Sequence, residues 1–440
     1  MRQSFEFTDT ESWTRQLLMP SFSGDWPLLP AVRAEGSYIY TADEKRYLDF
    51  TSGIAVTNVG HGHPKVLAAA REQMEKFSHS AVGITLHEPL LRLSQELAEV
   101  MPAGMDMFYY GNSGAEVVEG ALKLARYCTG RPGIIAFEGG FHGRTYGAAS
   151  VTSVKSKYRD HYEPFVPGVY FAPFPYRYRC PLGVDDQSVL EWSLSGIQTI
   201  FDRLIRPSQV AAILVEPVQG EGGYIVPPMD FLPALRKICD EHGILLILDE
   251  VQTGFGRTGE MFAAQVFNVR PDIMAVAKGI ANGFPLGATA ASRELMSRWL
   301  PGAHGTTFGG NPIACAAALA VLQVFREENL LENCRSMGAR LFQGLRSFKE
   351  KYPFIGDVRG LGLMLAMEMV IPGKGKTPNP DAAFNVLNQC LERGLLCYMA
   401  GLQGQVVRLI PPLCITADQV DEALRILDES LAAVAKEPYL

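Results

Sequence analysis

The chain has 440 residues, of which 47% are hydrophobic, and its formal net charge at pH 7 is −7. A chain of this length exceeds the ~100 to 200 residues of a typical domain, so a large domain and a smaller one are expected. No cluster of lysine and arginine residues matches a nucleic-acid-binding surface, and we expect the ligand to be a small molecule.

The sequence carries no sign of export or of membrane insertion. The first residues, MRQSFEFTDTESW, lack the basic and apolar regions of a signal peptide, and no apolar run reaches the about 18 residues of a membrane helix. The eight cysteines are scattered without the spacing of a metal site. We therefore expect a cytoplasmic protein with no bound metal, no membrane partner and no nucleic-acid partner.

Residues 1–59 are expected to form an N-terminal segment that contributes to the smaller domain, and SYIYTADEKRYLDF within it predicts a hairpin. In residues 60–330, short apolar strands alternate with amphipathic helices, which predicts an α/β domain with a mostly parallel sheet covered by helices. Such sheets bind ligands at the carboxyl ends of their strands. The stretch from 150 to 205 is less regular and predicts a long aromatic loop. Residues 331–440 predict a smaller α+β domain.

The stretch ILLILDEVQTGFGRTG contains GxGxxG at Gly254, Gly256 and Gly259. In a dinucleotide-binding turn, these glycines follow a strand directly and open a helix, and an acidic residue follows about 20 residues later. Here EVQT intervenes, no strong helix begins at Arg257, and VAKGIAN contains no acid. We interpret the glycines as a flexible loop rather than as a nicotinamide site.

Asp249 ends one apolar strand, and Lys278 ends the next, DIMAVAKGI. A partly buried carboxylate at the carboxyl end of a strand is costly unless a cation is near. A partly buried lysine can form an imine, although a lysine at a strand end can also simply reach solvent. An acid that keeps a pyridine nitrogen protonated and a lysine that forms an imine together indicate pyridoxal phosphate.

Two further stretches could complete such a site. Ser113, Gly114 and Ala115 follow the strand MFYYGN and open a helix, so their backbone N–H groups could bind a phosphate, although a plain helix N-cap at Ser113 has the same pattern. Phe141 and His142 follow the strand GIIAF on a glycine-flanked loop and could stack on a ring, although His142 could equally be a surface histidine. The strand-end acid, the strand-end lysine, the helix start and the aromatic loop occur in a compatible order. Together they favour a cofactor site over the separate structural explanation of each.

The sequence resembles the class III (ornithine/4-aminobutyrate type) pyridoxal-phosphate-dependent aminotransferases of fold type I. The resemblance runs from about residue 30 to 430 and is carried by LDEVQTGFGRTG, AVAKGIANGFPLGA, GNSGAEVVEGALKLAR, GGFHGRTYG, VEPVQGEGG and TTFGGNP. SGIAVTNVGHGHPKV, FHGRT and VRLIPPLCIT are most similar to the bacterial 4-aminobutyrate and acetylornithine branches. The resemblance implies pyridoxal 5′-phosphate as cofactor, and Lys278 and Asp249 as catalytic residues.

The same resemblance implies roles for the other cofactor residues. Val251 would pack on one face of the ring, and His142 or Phe141 on the other. Gln252 would bind the ring hydroxyl. The phosphate would be held by Ser113, Gly114 and Ala115, and by the hydroxyl of Thr307 from a neighbouring subunit, which implies a homodimer with its sites at the subunit interface, and dimers that could pair further.

For the substrate, the resemblance implies that Arg144 binds the distal carboxylate of an ω-amino acid and that Arg408 binds the α-carboxylate of glutamate or 2-oxoglutarate. Glu216 would pair with Arg408 when an ω-amino acid is bound, and Ile54 would line the pocket. Gly83 stands where the bacterial 4-aminobutyrate enzymes usually have a larger polar residue, which implies a wider pocket.

The expected reaction moves the ω-amino group of 4-aminobutyrate, or of a related donor such as ornithine or acetylornithine, to 2-oxoglutarate, giving a semialdehyde and glutamate. Two alternatives stay open. An amino-acid racemase or epimerase shares the fold and nearly all of the cofactor residues. A metabolite-binding protein that retains the fold without catalysis is the other, and the presence of both Lys278 and Asp249 argues against it.

Overall fold

The computed structural model describes Thr14, residues 17–19 and residues 28–436. The remaining positions of the predicted segment 1–59, and the last four residues of 331–440, lie outside this range. Within the described residues, no helix combines the length and the apolar character needed to cross a membrane.

A seven-stranded sheet forms the centre of the molecule. It consists of β4 (Met107–Gly111), β5 (Gly133–Phe137), β6 (Val169–Ala172), β7 (Val210–Val215), β8 (Leu245–Asp249), β9 (Ile273–Val276) and β10 (Gly287–Ala291). The spatial order is β4-β10-β9-β8-β7-β5-β6, and only β10 runs antiparallel to its neighbours. Every residue of β5, β7 and β9 is buried, as expected for strands covered on both faces. The predicted mostly parallel α/β sheet is confirmed.

Several helices of residues 60–330 pack against this sheet, and the others pack against those helices or lie in the connections. They are α1 (Pro64–Lys76), α2 (Glu88–Val100), α3 (Gly114–Thr129), α4 (Tyr146–Ser150), α5 (Asp186–Arg203), α6 (Phe231–His242), α7 (Ala263–Val266), α8 (Arg293–Met296) and α9 (Pro312–Glu327). The boundaries follow local chemistry: α3 begins where the Ser113 hydroxyl accepts the Glu116 N–H and ends at Gly130, whose φ is 66°.

A second sheet is antiparallel and has four strands in the order β11-β12-β15-β14. Its members are β11 (Ile355–Leu361), β12 (Met364–Met369), β14 (Tyr398–Ala400) and β15 (Val406–Leu409), and its flanking helices are α10 (Leu330–Lys351), α11 (Pro380–Glu392) and α12 (Ala417–Val434). Each of these helices buries one face, and α11 packs against α12.

The predicted hairpin in residues 1–59 is present. It comprises β2 (Tyr38–Thr41) and β3 (Arg46–Asp49), preceded by β1 (Ala31–Glu35), which pairs with β2. Strand β3 also pairs, in parallel, with β13 (Leu395–Leu396) from the C-terminal part of the chain. The division into 1–59, 60–330 and 331–440 stays a prediction, and this pairing supports a contribution of the N-terminal segment to the smaller domain.

The stretch from 150 to 205 is more regular than predicted. Its aromatic run contains β6, at the edge of the central sheet, and it ends in the 18-residue helix α5. Strand β6 has only four residues, too few for a clear alternation, and prolines follow it closely. The GxGxxG stretch is a buried loop and opens no helix before Ala263, which agrees with its interpretation as a loop rather than as a dinucleotide-binding turn.

Candidate active site

Asp249 and Lys278 lie at the carboxyl ends of the adjacent parallel strands β8 and β9. Asp249 is the last residue of β8 and pairs with Ala275, and Lys278 follows β9 by two residues with a left-handed φ of 46°. Such a conformation is uncommon for a residue with a side chain and occurs often at functional positions. The two groups are close enough for the Asp249 carboxylate to act on the pKa of Lys278.

The site lowers the pKa of the Lys278 amine, which favours its uncharged and reactive form. Burial and the nearby Arg408 lower its pKa to about 8, although Asp249, Glu216 and Glu221 oppose this shift. An amine with this pKa is uncharged in a substantial fraction of molecules near neutral pH. It can therefore act as a nucleophile and as a proton carrier.

Asp249 is held in place by two donors. Its Oδ2 lies 2.7 Å from Nδ1 of His142, and its Oδ1 accepts the N–H of Val251 at 3.0 Å. Both side chains of the ion pair are buried. Burial opposes the charged form of His142, but the Asp249 carboxylate outweighs it and raises the His142 pKa above its ordinary value.

The two ring-stacking candidates differ in their surroundings. His142 is buried and occupied by Asp249, so it is not the surface histidine considered from sequence. Phe141 is half-buried and packs edge-on against Tyr158 at 5.8 Å between ring centroids. Phe141 is thus the more accessible of the two rings.

The N-terminus of α3 lies beside the same strand ends. The N–H groups of Gly114 and Ala115 belong to the first turn, which has no intrahelical acceptors. Gly114 is required by close packing, since a Cβ there would lie 2.8 Å from Cγ1 of Val251. Val251, and with it the end of β8, is therefore in direct contact with the opening of the helix.

Gln252 presents an unsatisfied polar atom to this space. Its side-chain oxygen is buried and without a hydrogen-bond partner among the described residues. Gly220 leaves room for the amide, because a Cβ at that position would lie 2.6 Å from Nε2 of Gln252. A buried unpaired amide oxygen is costly, so a ligand with a hydroxyl donor would complete the site.

The expected pairing of Glu216 with Arg408 is wrong. Nη1 of Arg408 instead lies 3.1 Å from Oε2 of Glu221, five residues further along the same motif. Arg408 is 2% exposed, so this ion pair lies away from bulk water. Burial raises the pKa of Glu221, but Arg408 and Lys155 more than offset this, and the pKa lies below its ordinary value.

Glu216 has a different set of contacts. Oε1 accepts the N–H of Phe141 and Oε2 accepts the N–H of Gly220, each at 2.8 Å. The carboxylate thereby joins the loop that carries His142 and Arg144 to the loop that carries Glu221. Burial raises the pKa of Glu216 to about 7.

Arg144 and Glu221 meet at Tyr158. The guanidinium of Arg144 lies 4.0 Å from the centroid of the Tyr158 ring, and the hydroxyl of the same tyrosine donates to Oε1 of Glu221 at 3.1 Å. Lys155 also contacts Oε1 of Glu221, at 3.2 Å. Glu221, Tyr158 and Lys155 were not predicted from the sequence. Of these three residues, only Glu221 could have been found from the sequence, because it is the second glutamate of the motif VEPVQGEGG.

Two predicted residues lie in exposed segments. Ile54 is 44% exposed and belongs to the short helical turn Ser52–Ala55, in which all four φ angles are left-handed, between 47° and 64°. Asp49 holds this turn by accepting the N–H groups of Thr51 and Ser52. Thr307 is exposed on the loop before α9, whereas the neighbouring Thr306 contacts Asn112 of its own chain.

These residues fit pyridoxal phosphate: a buried amine, a fixed carboxylate, an unsatisfied amide oxygen and a helix N-terminus meet at the strand ends. The fold and the site together define a pyridoxal-phosphate-dependent enzyme of fold type I.

Comparison with known proteins gives the family. The model of the family described as aminotransferase class-III matches residues 22–431. The chain is 42% identical to the 5-aminovalerate aminotransferase DavT of Pseudomonas putida, over 91% of this chain and 93% of that protein. It is 40% identical to the 4-aminobutyrate aminotransferase GabT of Escherichia coli, over 91% and 92%. The chain belongs to the class-III aminotransferases, and its cofactor is pyridoxal 5′-phosphate.

A solved structure agrees with this assignment. The taurine:2-oxoglutarate aminotransferase of Bifidobacterium kashiwanohense, in complex with PLP and glutamate, superposes with a TM-score of 0.92 at 30% identity, covering 99% of both chains. Racemases are also among the relatives, including an alanine/serine racemase at 36% identity and a leucine/methionine racemase at 39%. The aminotransferase class is thus established, and the racemases are the minor alternative.

Proposed function

We propose that this aminotransferase moves the ω-amino group of 4-aminobutyrate to 2-oxoglutarate, giving succinate semialdehyde and glutamate. The observation that carries the proposal is the buried pair of Arg408 with Glu221, beside a second arginine, Arg144. An enzyme with this substrate pair must bind two different molecules at one site. The donor lacks an α-carboxylate, whereas the acceptor carries one. An arginine that a carboxylate can neutralise or release meets both demands.

In this proposal, Arg144 binds the distal carboxylate of either substrate. Its planar guanidinium suits a carboxylate, and the Tyr158 ring below it fixes its plane. Glu221 neutralises Arg408 while the ω-amino acid is bound. When glutamate or 2-oxoglutarate enters, its α-carboxylate takes the place of Glu221 at Arg408. Ile54 is proposed to line the donor side of the pocket.

Pyridoxal phosphate supplies an electron sink for the negative charge that develops on the reacting carbon. Lys278 is proposed to hold the cofactor covalently, and its Nζ, when free, would accept the proton that leaves the substrate carbon bearing the amino group. Asp249 would hold a proton on the ring nitrogen, and His142 would keep that carboxylate oriented. Val251 and Phe141 are proposed to cover the two faces of the ring, and Gln252 to accept its hydroxyl.

The phosphate is proposed to lie at the N-terminus of α3, against the backbone of Ser113, Gly114 and Ala115. Thr307 would reach the phosphate of a second subunit, since it is exposed and the apolar side chain next to it, Phe308, is 61% exposed. The proposed active unit is therefore a homodimer with its sites between the subunits, and dimers could pair further.

The test is a panel of amino donors assayed with 2-oxoglutarate and scored for glutamate. We expect 4-aminobutyrate to give the highest kcat/KM. The donors to compare are 5-aminovalerate, ornithine and acetylornithine, because the missing side chain at Gly83 would leave room for a larger donor. In parallel, L-alanine and L-leucine are incubated alone and examined by chiral chromatography. Loss of chirality without glutamate formation from any ω-donor would support the racemase alternative instead.

A further inference from the structure

The loop that carries Glu221 is held by groups other than its own side chain. Gln219 and Ile225 close the loop by pairing with each other, and the carbonyl of Glu221 accepts the N–H of Gly401 at 2.9 Å. The carbonyl of Gly223 receives two donors from Arg359, Nε at 2.9 Å and Nη2 at 2.7 Å. The backbone on both sides of the Glu221 side chain is therefore anchored.

Arg359 is itself firmly fixed. It lies on β11, its side chain is 10% exposed, and Nη1 contacts Asp357 at 3.0 Å and Glu368 at 2.7 Å. Glu368 is fully buried and is shared with Arg179, which approaches it from the other side. Two arginines and two carboxylates thus form a cluster, which Lys349 also reaches at Asp357, 4.0 Å away. This cluster fixes the guanidinium at Gly223 without requiring the loop for neutrality.

Packing at Gly223 shows how closely the loop fits. Its φ is 123°, and a Cβ there would lie 3.0 Å from Nη2 of Arg359 and 3.2 Å from Cγ2 of Val406. Val406 precedes Arg408 by two residues on β15. One sheet therefore supplies both the arginine that holds the loop backbone and the arginine that pairs with the loop side chain.

We propose that Arg359 is a positioning residue for the exchange between the two half-reactions. It fixes the backbone around Glu221, so that only the Glu221 side chain moves when an α-carboxylate takes its place at Arg408. A freely moving loop would pair with Arg408 less often, and Arg408 would then disfavour donors that lack an α-carboxylate. This inference rests on the proposed function, because it requires that Glu221 distinguishes the two kinds of substrate.

The experiment measures single-turnover rates of the purified holoenzyme with 4-aminobutyrate alone and with glutamate alone. Arg359→Lys keeps the charge but cannot donate two hydrogen bonds from one rigid plane. We expect it to lower the ratio of the 4-aminobutyrate rate to the glutamate rate by about 3- to 30-fold. The matched control is Arg179→Lys, which disturbs the same Glu368 cluster without touching the loop. We expect its ratio to stay within about twofold of wild type.

Two further variants separate positioning from folding. Gly223→Ala disturbs the same contact from the loop side and should lower the ratio in the same direction, which keeps the test valid if Arg359→Lys does not fold. In the double variant Glu221→Ala/Arg359→Lys, the ratio should equal that of Glu221→Ala alone, because Arg359 acts through Glu221.

The outcomes distinguish this inference from the proposed function. If Glu221→Ala itself leaves the ratio unchanged, both the substrate switch and the role of Arg359 are overturned. If Glu221→Ala lowers the ratio but Arg359→Lys and Gly223→Ala do not, only the positioning role fails. Equal losses in both half-reactions, matched by Arg179→Lys, would show that Arg359 merely supports the fold.

Discussion

Nδ1 of His142 lies 2.7 Å from Oδ2 of Asp249, and both side chains are buried at the end of β8. The pair leaves a negatively charged carboxylate with a fixed direction, because Oδ1 is bonded to the N–H of Val251 as well. A charge held in place before the reaction needs no rearrangement when charge develops in the transition state.

The first prediction concerns this carboxylate. Asp249→Asn keeps the shape but removes the charge that would hold the ring nitrogen protonated. We expect turnover to fall at least about 100-fold, equivalent to roughly 2.7 kcal/mol. Single-turnover rates should fall equally with 4-aminobutyrate and with glutamate, since the ring serves both half-reactions. Near-normal turnover in a variant with cofactor bound, as seen in its visible spectrum, would exclude this role.

The second prediction concerns the attachment of the cofactor. Lys278→Ala should abolish both turnover and the borohydride-dependent labelling of the protein, because the buried amine would be missing. Peptide mass spectrometry of the labelled wild type should locate the modification at Lys278. Lys237→Ala, which removes a side chain that is 79% exposed, is the control and should be labelled normally. Labelling of Lys278→Ala at one other lysine would show that the assignment is wrong.

The third prediction is a pH dependence of cofactor binding to the apoenzyme. Only the uncharged amine of Lys278 is nucleophilic, and burial together with Arg408 lowers its pKa to about 8. The rate of covalent attachment should therefore rise with pH through a midpoint near 8 and level off above it. An ordinary exposed lysine would place the midpoint at about 10.4. Stopped-flow absorbance after mixing apoenzyme with pyridoxal phosphate gives the profile, and a midpoint near that of an exposed lysine would contradict the prediction.

The fourth prediction separates the two half-reactions. Glu221→Ala leaves Arg408 buried and unpaired, so it should slow the reaction with 4-aminobutyrate more than the reaction with glutamate. Arg408→Ala should do the reverse. Each effect is expected to be about 1–3 kcal/mol, the range for an unsatisfied buried group. Single-turnover spectra with each donor alone measure both effects, and equal losses for both donors in both variants would refute the switch.

The fifth prediction distinguishes Glu216 from Glu221. Glu216→Gln retains one acceptor oxygen but directs an NH₂ group at a backbone N–H, so one of the two loop contacts is lost. Because Glu216 joins both loops and does not touch Arg408, we expect both half-reactions to slow by a similar factor, about 5- to 30-fold. A change restricted to the 4-aminobutyrate reaction would return Glu216 to the role first expected from the sequence.

The sequence predicted the elements whose patterns are long or strongly apolar, such as β7, β8 and α3, and it placed Asp249 and Lys278 at strand ends. It led to Glu216 rather than to Glu221 as the partner of Arg408. Both occupy one motif, and the choice depends on how the loop turns back at Gln219 and Ile225. Tyr158 was missed because it lies in a short 3₁₀ turn within the irregular stretch, where no periodicity distinguishes a half-buried side chain from an exposed one.

The left-handed turn at Ser52–Ala55 has a consequence for the evolution and engineering of this enzyme. Ile54 is β-branched and sits at a φ of 64°, a conformation that costs about 1–2 kcal/mol relative to a right-handed one. Glycine would relieve this strain, so the most stable chain would differ from the present one at this position. Under the proposed role of Ile54 in lining the donor side of the pocket, selection for thermal stability alone would tend to remove the isoleucine, whereas selection for donor specificity would retain it.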